Sequence, residues 1–372
     1  MRVAIVSESF LPAVNGVTNS VLRVLEYLQR HGHQALVIAP GPGPEGYAGA
    51  EVVRVRSLPL PRYRSFPVGL PSPRIEAMLR AFAPDVVHLA SPFALGALGA
   101  RAASRVGVLT VAVYQTDVAG FLASYRLGVA SPAAWRWLAR IHGRAALTLA
   151  PSTAAMEDLE RHGIGPLALW PRGVDSERFH PRERSQALRQ ALAPGGELLV
   201  GYVGRLAQEK RVGLLAALAD VPGCRVVIVG DGPQRDQLHA ALPWASFLGL
   251  KTGHELAQIF ASLDVFVHTG AKETFCQAAQ EALASGVPVV APAAGGLLDL
   301  VRHGGNGLLW PPGDPAGLRA AVAALAADPA ARAAYAHAAR PTVAGRTWSA
   351  VGDQLLGHYA LVVGGGALRE AA

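Results

Sequence analysis

Residues 264–296 read DVFVHTGAKETFCQAAQEALASGVPVVAPAAGG. A β-branched and aromatic run at 264–268 gives way to a polar loop, helix-forming residues follow, and SGVPVV opens a second apolar run at 287–291. Strand, helix and strand in this order predict a parallel βαβ unit covered on both faces. Glu273 and Glu281 stand eight positions apart, which on one continuous helix leaves them about 80° out of register. They converge only if Glu273 lies in the loop before the helix. That arrangement lets one carboxylate meet hydroxyls of a ligand at the helix mouth while the other lies two turns inside. Two surface glutamates share this spacing by accident often enough, but the flanking apolar strands favour a built site.

Outward from this unit the same alternation fills the chain. A first series of strands is predicted at 3–7, 35–39, 52–55, 85–89, 108–114 and 147–150, and a second at 198–203, 225–229, 246–248, 264–268, 287–291 and 307–310. Two series within 372 residues predict an α/β protein of two doubly wound Rossmann-like domains. The seam is expected within 171–193, where WPRGVDSERFHPRER mixes Pro, Gly and charge. The expected division is 1–175 and 176–347 for the two domains, and 348–372 for a terminal helix packing back on the first. Open parallel sheets bind ligands at the carboxyl ends of their strands, so a central cleft faced by both domains is the expected site.

Composition narrows the class. Apolar residues make up 51% and charged residues 16%, too apolar for disorder. Cys224 and Cys276 are the only cysteines, which supports neither a disulfide framework nor a thiolate metal site and makes a reducing cytoplasm the expected compartment. MRVAIVSESF reads as a first core strand and not an export signal. Residues 1–175 carry 17 arginines against 11 acids, and twelve of those arginines lie within 51–144. Such a surface suits anionic lipid headgroups or is simply a solvated arginine-rich face; 60–73 and 135–144 are the stretches where membrane contact is expected. Nucleic acid is not expected, since no helix-turn-helix, zinc-finger or aromatic RNA-binding motif accompanies the charge.

Three further segments carry candidate chemistry. After the first strand, Asn15 and Gly16 read as a tight turn ahead of a helix from Thr18 to Gln29; a glycine there lets an anion approach free backbone N–H groups. No G-x-G-x-x-G occurs at this point, which counts against a dinucleotide dehydrogenase. GRLAQEK places Gly204 and Arg205 just past a strand and Lys210 at the start of the next helix, a combination of planar fork, point charge and helix dipole that suits a diphosphate. VGDGP puts Gly230, Asp231 and Gly232 in a turn that backs a nucleotide or merely connects.

Taken together, GRLAQEK, VGDGP, E-x7-E within ETFCQAAQEALASGVPVV, GG before Asp299, and GNGLLWPPGD resemble in order and spacing the retaining glycosyltransferases of family four with the GT-B fold. SESFLPAVNGVTNSV, YQTDVAGF and PRGVDSERFHP look like the branch of actinobacterial GDP-mannose-dependent α-mannosyltransferases and plant sulfolipid synthases. The resemblance implies that Gly16, beside Asn15, lies against the donor diphosphate and that Arg205 and Lys210, next to Gly204, neutralise it as it leaves. It implies Glu281 on the ribose and Glu273 on the sugar hydroxyls, helped by N–H groups around Thr274 and Phe275, with Asp231 and Gly232 behind the nucleotide. Many family members carry a histidine where this chain has Gln115. An amide is neither acid nor base here, so Gln115 takes a polar positioning role with Asp117 as a second candidate. Arg172, where relatives often have asparagine, is a contact for the donor or the hinge.

The implied reaction is retaining transfer of a hexose, mannose from GDP-mannose, to a hydroxyl of a lipid-linked acceptor such as a phosphatidylinositol or diacylglycerol glycolipid, on the cytoplasmic face of the membrane. Cleaving the sugar–phosphate bond builds opposite charges that the protein must stabilise as they form. No D-x-D pair occurs anywhere, so no divalent metal and no cofactor are expected. The alternatives are a UDP-sugar transferase acting on a soluble metabolite, a nucleotide-sugar epimerase, or a non-catalytic sugar-nucleotide-binding membrane adaptor.

Overall fold

The computed structural model describes residues 1–13, 15–60, 63–70, 72, 74–116 and 131–370. They form two compact units, one made of the residues up to Arg172 together with the helix Trp348–Glu370, the other of Gly173–Thr347.

The first unit is built on a sheet whose order is Leu167–Leu169, Leu147–Ala150, Thr110–Val113, Val86–Ala90, Arg2–Ser7, Gln34–Pro40, Ala50–Val55 and Gly46–Tyr47. All neighbours are parallel except the last pair. Because side chains alternate across a strand, an unbroken apolar run must feed two cores. Val3 and Ile5 join Val37, Val111 and the helix residues Val21, Leu25 and Leu28 on one face. Ala4 and Val6 join Ile38, Leu89, Ile75, Leu79 and Leu95 on the other. The terminal helix supplies Val351, Leu355 and Tyr359 to the first of these cores. It is held there by Trp170 Nε1 donating to the Val351 carbonyl at 2.9 Å and by the Tyr359 hydroxyl against His88 Nδ1 at 2.6 Å. Ser57–Leu60 and Tyr63–Gly69 pair as an antiparallel hairpin, two strands that neither predicted series contained; the prolines hid the alternation.

The second unit holds a wholly parallel sheet in the order Ser246–Gly249, Cys224–Val229, Leu198–Val203, Val265–Val267, Val289–Pro292 and Gly307–Trp310. Phe266 and Val289 pack with Phe260, Leu283 and Leu297 on one face, Val200 and Val290 with Leu215, Leu318 and Val322 on the other. In this sheet the winding reverses between Leu198–Val203 and Val265–Val267, and in the first sheet between Arg2–Ser7 and Val86–Ala90. At such a reversal the connections leave in opposite directions and open a crevice beyond the strand ends. No helix among the described residues is long and apolar enough to cross a membrane.

Candidate functional site

At the reversal point of the second unit, the loop leaving Leu198–Val203 carries Gly204 to Lys210 and the loop leaving Val265–Val267 carries His268 to Cys276. The two loops are locked together: the Thr269 hydroxyl donates to the Lys210 carbonyl at 2.7 Å, and Lys210 Nζ lies 2.5 Å from Glu273 Oε1. His268 Nε2 lies 2.8 Å from that same Oε1. Gly295 (φ +58°) closes over the loop, where a Cβ would stand 2.5 Å from the Glu273 carbonyl, so only glycine allows this approach. The Gly296 N–H donates to the same carbonyl at 2.8 Å.

Burial works against a charged Glu273, but the Lys210 charge and the His268 hydrogen bond outweigh it and hold the carboxyl down at about 2. His268 is likewise opposed by burial, yet Cys276 and Glu273 beside it raise its pKa to about 9. For Lys210 the desolvation is overcome by Glu273 and the pKa moves up. The cluster is therefore an ionised carboxylate between two cationic donors. His268, Glu273 and Cys276 offer polar atoms within 4.8 Å of one another, but the Lys210 ammonium already neutralises the carboxylate, so the donor set fits a hydrogen-bonded cluster better than a metal centre.

Lys210 ends the short 3₁₀ turn Gln208–Lys210, and a second one, Val212–Leu218, follows after Arg211 at φ +51°. The α-helix expected to begin at Lys210 is thus absent; the left-handed residue breaks it. Arg205 is exposed, with Glu209 3.9 Å away. Asp231 caps its own turn, its carboxylate accepting the Gly232 N–H at 2.7 Å while its carbonyl accepts from Leu206 at 2.9 Å.

Glu273, Thr274 and Phe275 precede the helix Gln277–Ala284, and Glu281 lies within it. Gln277 Nε2 donates to Glu281 Oε1 at 3.3 Å and to the Gly173 carbonyl at 3.1 Å. Burial pushes the Glu281 carboxyl up to about 7, against the Gln277 hydrogen bond and the charge of Arg178.

In the first unit Asn15 is the N-cap of the helix Gly16–Arg30 rather than half of a tight turn, its Oδ1 accepting from the Val17 and Thr18 N–H groups at 3.0 Å each. Arg172 forks across this end of the unit, donating to the Gly16 carbonyl and to Gln115 Oε1, each at 2.8 Å. Glu8, 1% exposed, accepts the Phe93 and Gly96 N–H groups at 2.8 and 2.7 Å at the start of the helix Leu95–Arg105. Burial raises its carboxyl against those hydrogen bonds. Asp117 lies outside the described residues.

The predicted residues thus fall into two groups, Asn15, Gly16, Gln115 and Arg172 in one unit, and Gly204, Arg205, Lys210, Asp231, Gly232, Glu273, Thr274, Phe275 and Glu281 in the other. Sequence reading missed His268, Cys276, Gln277 and Glu8. The available signal was position: His268 and Glu8 are ionisable groups at the carboxyl ends of core strands, and Gln277 stands one turn before Glu281. On the helix Ser131–His142, Trp135 stacks on His162 at 3.7 Å and Trp137 Nε1 donates to the Phe93 carbonyl. Both tryptophans are engaged in contacts, and Arg136, Arg140 and Arg144 are the exposed charged groups of 135–144.

Comparison with known proteins matches residues 14–178 to the family model described as Glycosyltransferase Family 4 and residues 183–342 to Glycosyl transferases group 1. The chain is 53% identical over 378 residues to a GDP-mannose-dependent alpha-mannosyltransferase of Mycolicibacterium smegmatis, covering 100% of each. It is 36% identical to the sulfoquinovosyl transferase SQD2 of Arabidopsis thaliana, over 91% of this chain and 69% of that protein. Among solved structures, Anabaena Alr3699/HepE in complex with UDP superposes with a TM-score of 0.80 at 22% identity, over 97% of this chain and 100% of the other.

Proposed function

Because this chain belongs to glycosyltransferase family 4 and has the GT-B fold, we propose that it transfers mannose from GDP-mannose to a hydroxyl of a lipid-linked acceptor, retaining the anomeric configuration. The observation that carries the reading is the Lys210–Glu273–His268 cluster at the reversal point of the second sheet, in a chain 53% identical to a GDP-mannose-dependent alpha-mannosyltransferase.

In this reading the second unit holds the donor. Glu281, steadied by Gln277, accepts from the ribose diol, and Asp231 and Gly232 back the nucleotide. Glu273 accepts from the sugar hydroxyls beside the backbone of Thr274 and Phe275. Arg205, exposed and lightly paired, meets the diphosphate, and Lys210 joins it as negative charge develops on the leaving oxygen. Fixed cationic side chains then do what a divalent ion does elsewhere, so transfer proceeds without a metal. In the first unit Arg172 holds the Gln115 amide by its oxygen, and a carboxamide takes up no proton at neutral pH. The departing phosphate oxygen is then the base that takes the acceptor's proton on the same face. Asn15 already caps the Val17 and Thr18 N–H groups, so it is Gly16, with no side chain, that lets the diphosphate approach this helix start, and Asp117 stays a second positioning candidate. The exposed arginines of the first unit suit a peripheral contact with anionic lipid on the cytoplasmic side.

Incubating the pure protein with GDP- and UDP-sugars, with and without membrane lipid extract, tests this directly. Mannosylated lipid should form from GDP-mannose only when extract is present, and EDTA should leave the rate unchanged. Transfer from UDP-sugars alone, nucleotide-sugar conversion without acceptor, or abolition by EDTA would overturn it.

A further inference from the structure

Two donors converge on a single oxygen of Glu273, and they differ in kind. Lys210 arrives on a long side chain that is 24% exposed, while His268 is 3% exposed and Glu273 9%. The imidazole is set at the end of a core strand and stacked against Tyr202, ring centroids 6.1 Å apart and planes 16° from parallel. Its Nδ1 is buried with no hydrogen-bond partner among the described residues. A histidine that only filled the core would be expected to satisfy both ring nitrogens; here one is left unsatisfied while Nε2 is directed at the carboxylate. The groups facing it are Glu273, Cys276 and the Tyr202 ring, with Lys210 on the shared oxygen and Glu209 acting on Lys210.

We propose that His268 is the positioning residue of Glu273, holding Oε1 in place when the Lys210 ammonium is drawn from the carboxylate to the donor diphosphate. This rests on the donor reading above and deepens it. Without His268, release of Lys210 would leave Glu273 buried with no cationic donor on Oε1, so Lys210 could serve the phosphate only at the expense of the carboxylate's geometry. With His268, one cation moves and the carboxylate does not. The second oxygen of Glu273 then meets the sugar hydroxyls at a fixed angle, which is where a rate advantage arises.

The test uses the full chain with GDP-mannose and acceptor lipid, and GDP alone by calorimetry. Wild-type turnover and GDP binding are measured first; their failure would strike the donor reading and not the role of His268. With both present, His268→Leu should lower kcat about 30-fold or more while the GDP dissociation constant stays within about threefold, since GDP carries no sugar. His268→Gln keeps an N–H donor without the charge, so its turnover at neutral pH should lie between those of His268→Leu and wild type. Because His268 titrates near 9 and its charged form is the holding form, wild-type kcat should fall as pH rises through that value. The glutamine variant should lack that fall. Turnover of His268→Leu within about threefold of wild type would overturn the proposal, as would parallel loss of kcat, GDP binding and melting temperature in both variants. If the leucine variant does not fold, the glutamine variant decides alone, and an unchanged alkaline limb overturns the proposal.

Discussion

The two sheets reverse their winding by the same topological device, yet they furnish the resulting crevice in opposite ways. In the second unit it is filled with charge, an ionised Glu273 between Lys210 and His268, with Glu281 on the adjoining helix. In the first, Glu8 is consumed in capping the helix Leu95–Arg105, and the side chains at the rim are an amide and a guanidinium already bonded to each other, Gln115 and Arg172. One crevice holds a carboxylate between two cationic donors; at the other, the Arg172 guanidinium keeps its charge and is held by two neutral oxygens. In the proposed reading, electrostatic stabilisation of the leaving group belongs to the second unit, and orientation of what is attacked belongs to the first.

That contrast can be broken by mutation. The largest effect is expected for Glu273→Ala, which removes the acceptor of both cationic donors; kcat should fall about 100-fold or more with the acceptor-lipid KM unchanged. An equal loss from changes in the first unit would erase the distinction. Next comes the pH response of Glu281. In the proposed reading a ribose diol donates to the ionised carboxylate, and burial keeps that carboxyl protonated up to about 7, so the donor KM should fall as pH rises from 6 to 8, by about tenfold at most. Glu281→Gln should flatten that profile, and a wild-type KM that rises with pH would contradict the assignment. A smaller change is expected for Arg172→Ala, which releases Gln115 and the Gly16 carbonyl: about fivefold in donor KM and less in kcat, checked by initial-rate kinetics. The smallest effect on turnover is expected from Tyr359→Phe, which strips His88 Nδ1 of its partner and should cost about 1–3 kcal/mol of stability by denaturant melts while leaving kcat as it was.

Much of this was readable before the structure. Continuous apolar runs such as RVAIVS and CRVVIV announce strands buried on both faces, because each must satisfy two cores. The placement of Glu273 in a loop and Glu281 in a helix followed from the helical repeat alone. The hairpin at Ser57–Leu60 and Tyr63–Gly69 was not readable, since Pro59 and Pro67 oppose each other in it and proline reads as a strand breaker. Nor was His268: its chemistry depends on a lysine 58 positions earlier in the chain, brought to the same oxygen by parallel pairing of neighbouring strands. Spacing rules see a few turns at a time, and a cluster assembled by sheet topology lies beyond their reach. The tryptophans of Ser131–His142 show what a pattern leaves out: Trp135 stacks on His162 and Trp137 donates to the Phe93 carbonyl, partners that lie far off in the chain.

The terminal helix has a consequence for biosynthesis. Val351, Leu355 and Tyr359 complete a core whose other members, Val3, Ile5 and Val21, lie in the opening residues of the chain. The ribosome thus makes the beginning of that core first and its closing piece last, with the whole of Gly173–Thr347 translated in between. Gly173–Thr347 is translated whole before the helix that completes the first unit's core. Nascent chains stalled just short of Trp348 would be the species most in need of a chaperone.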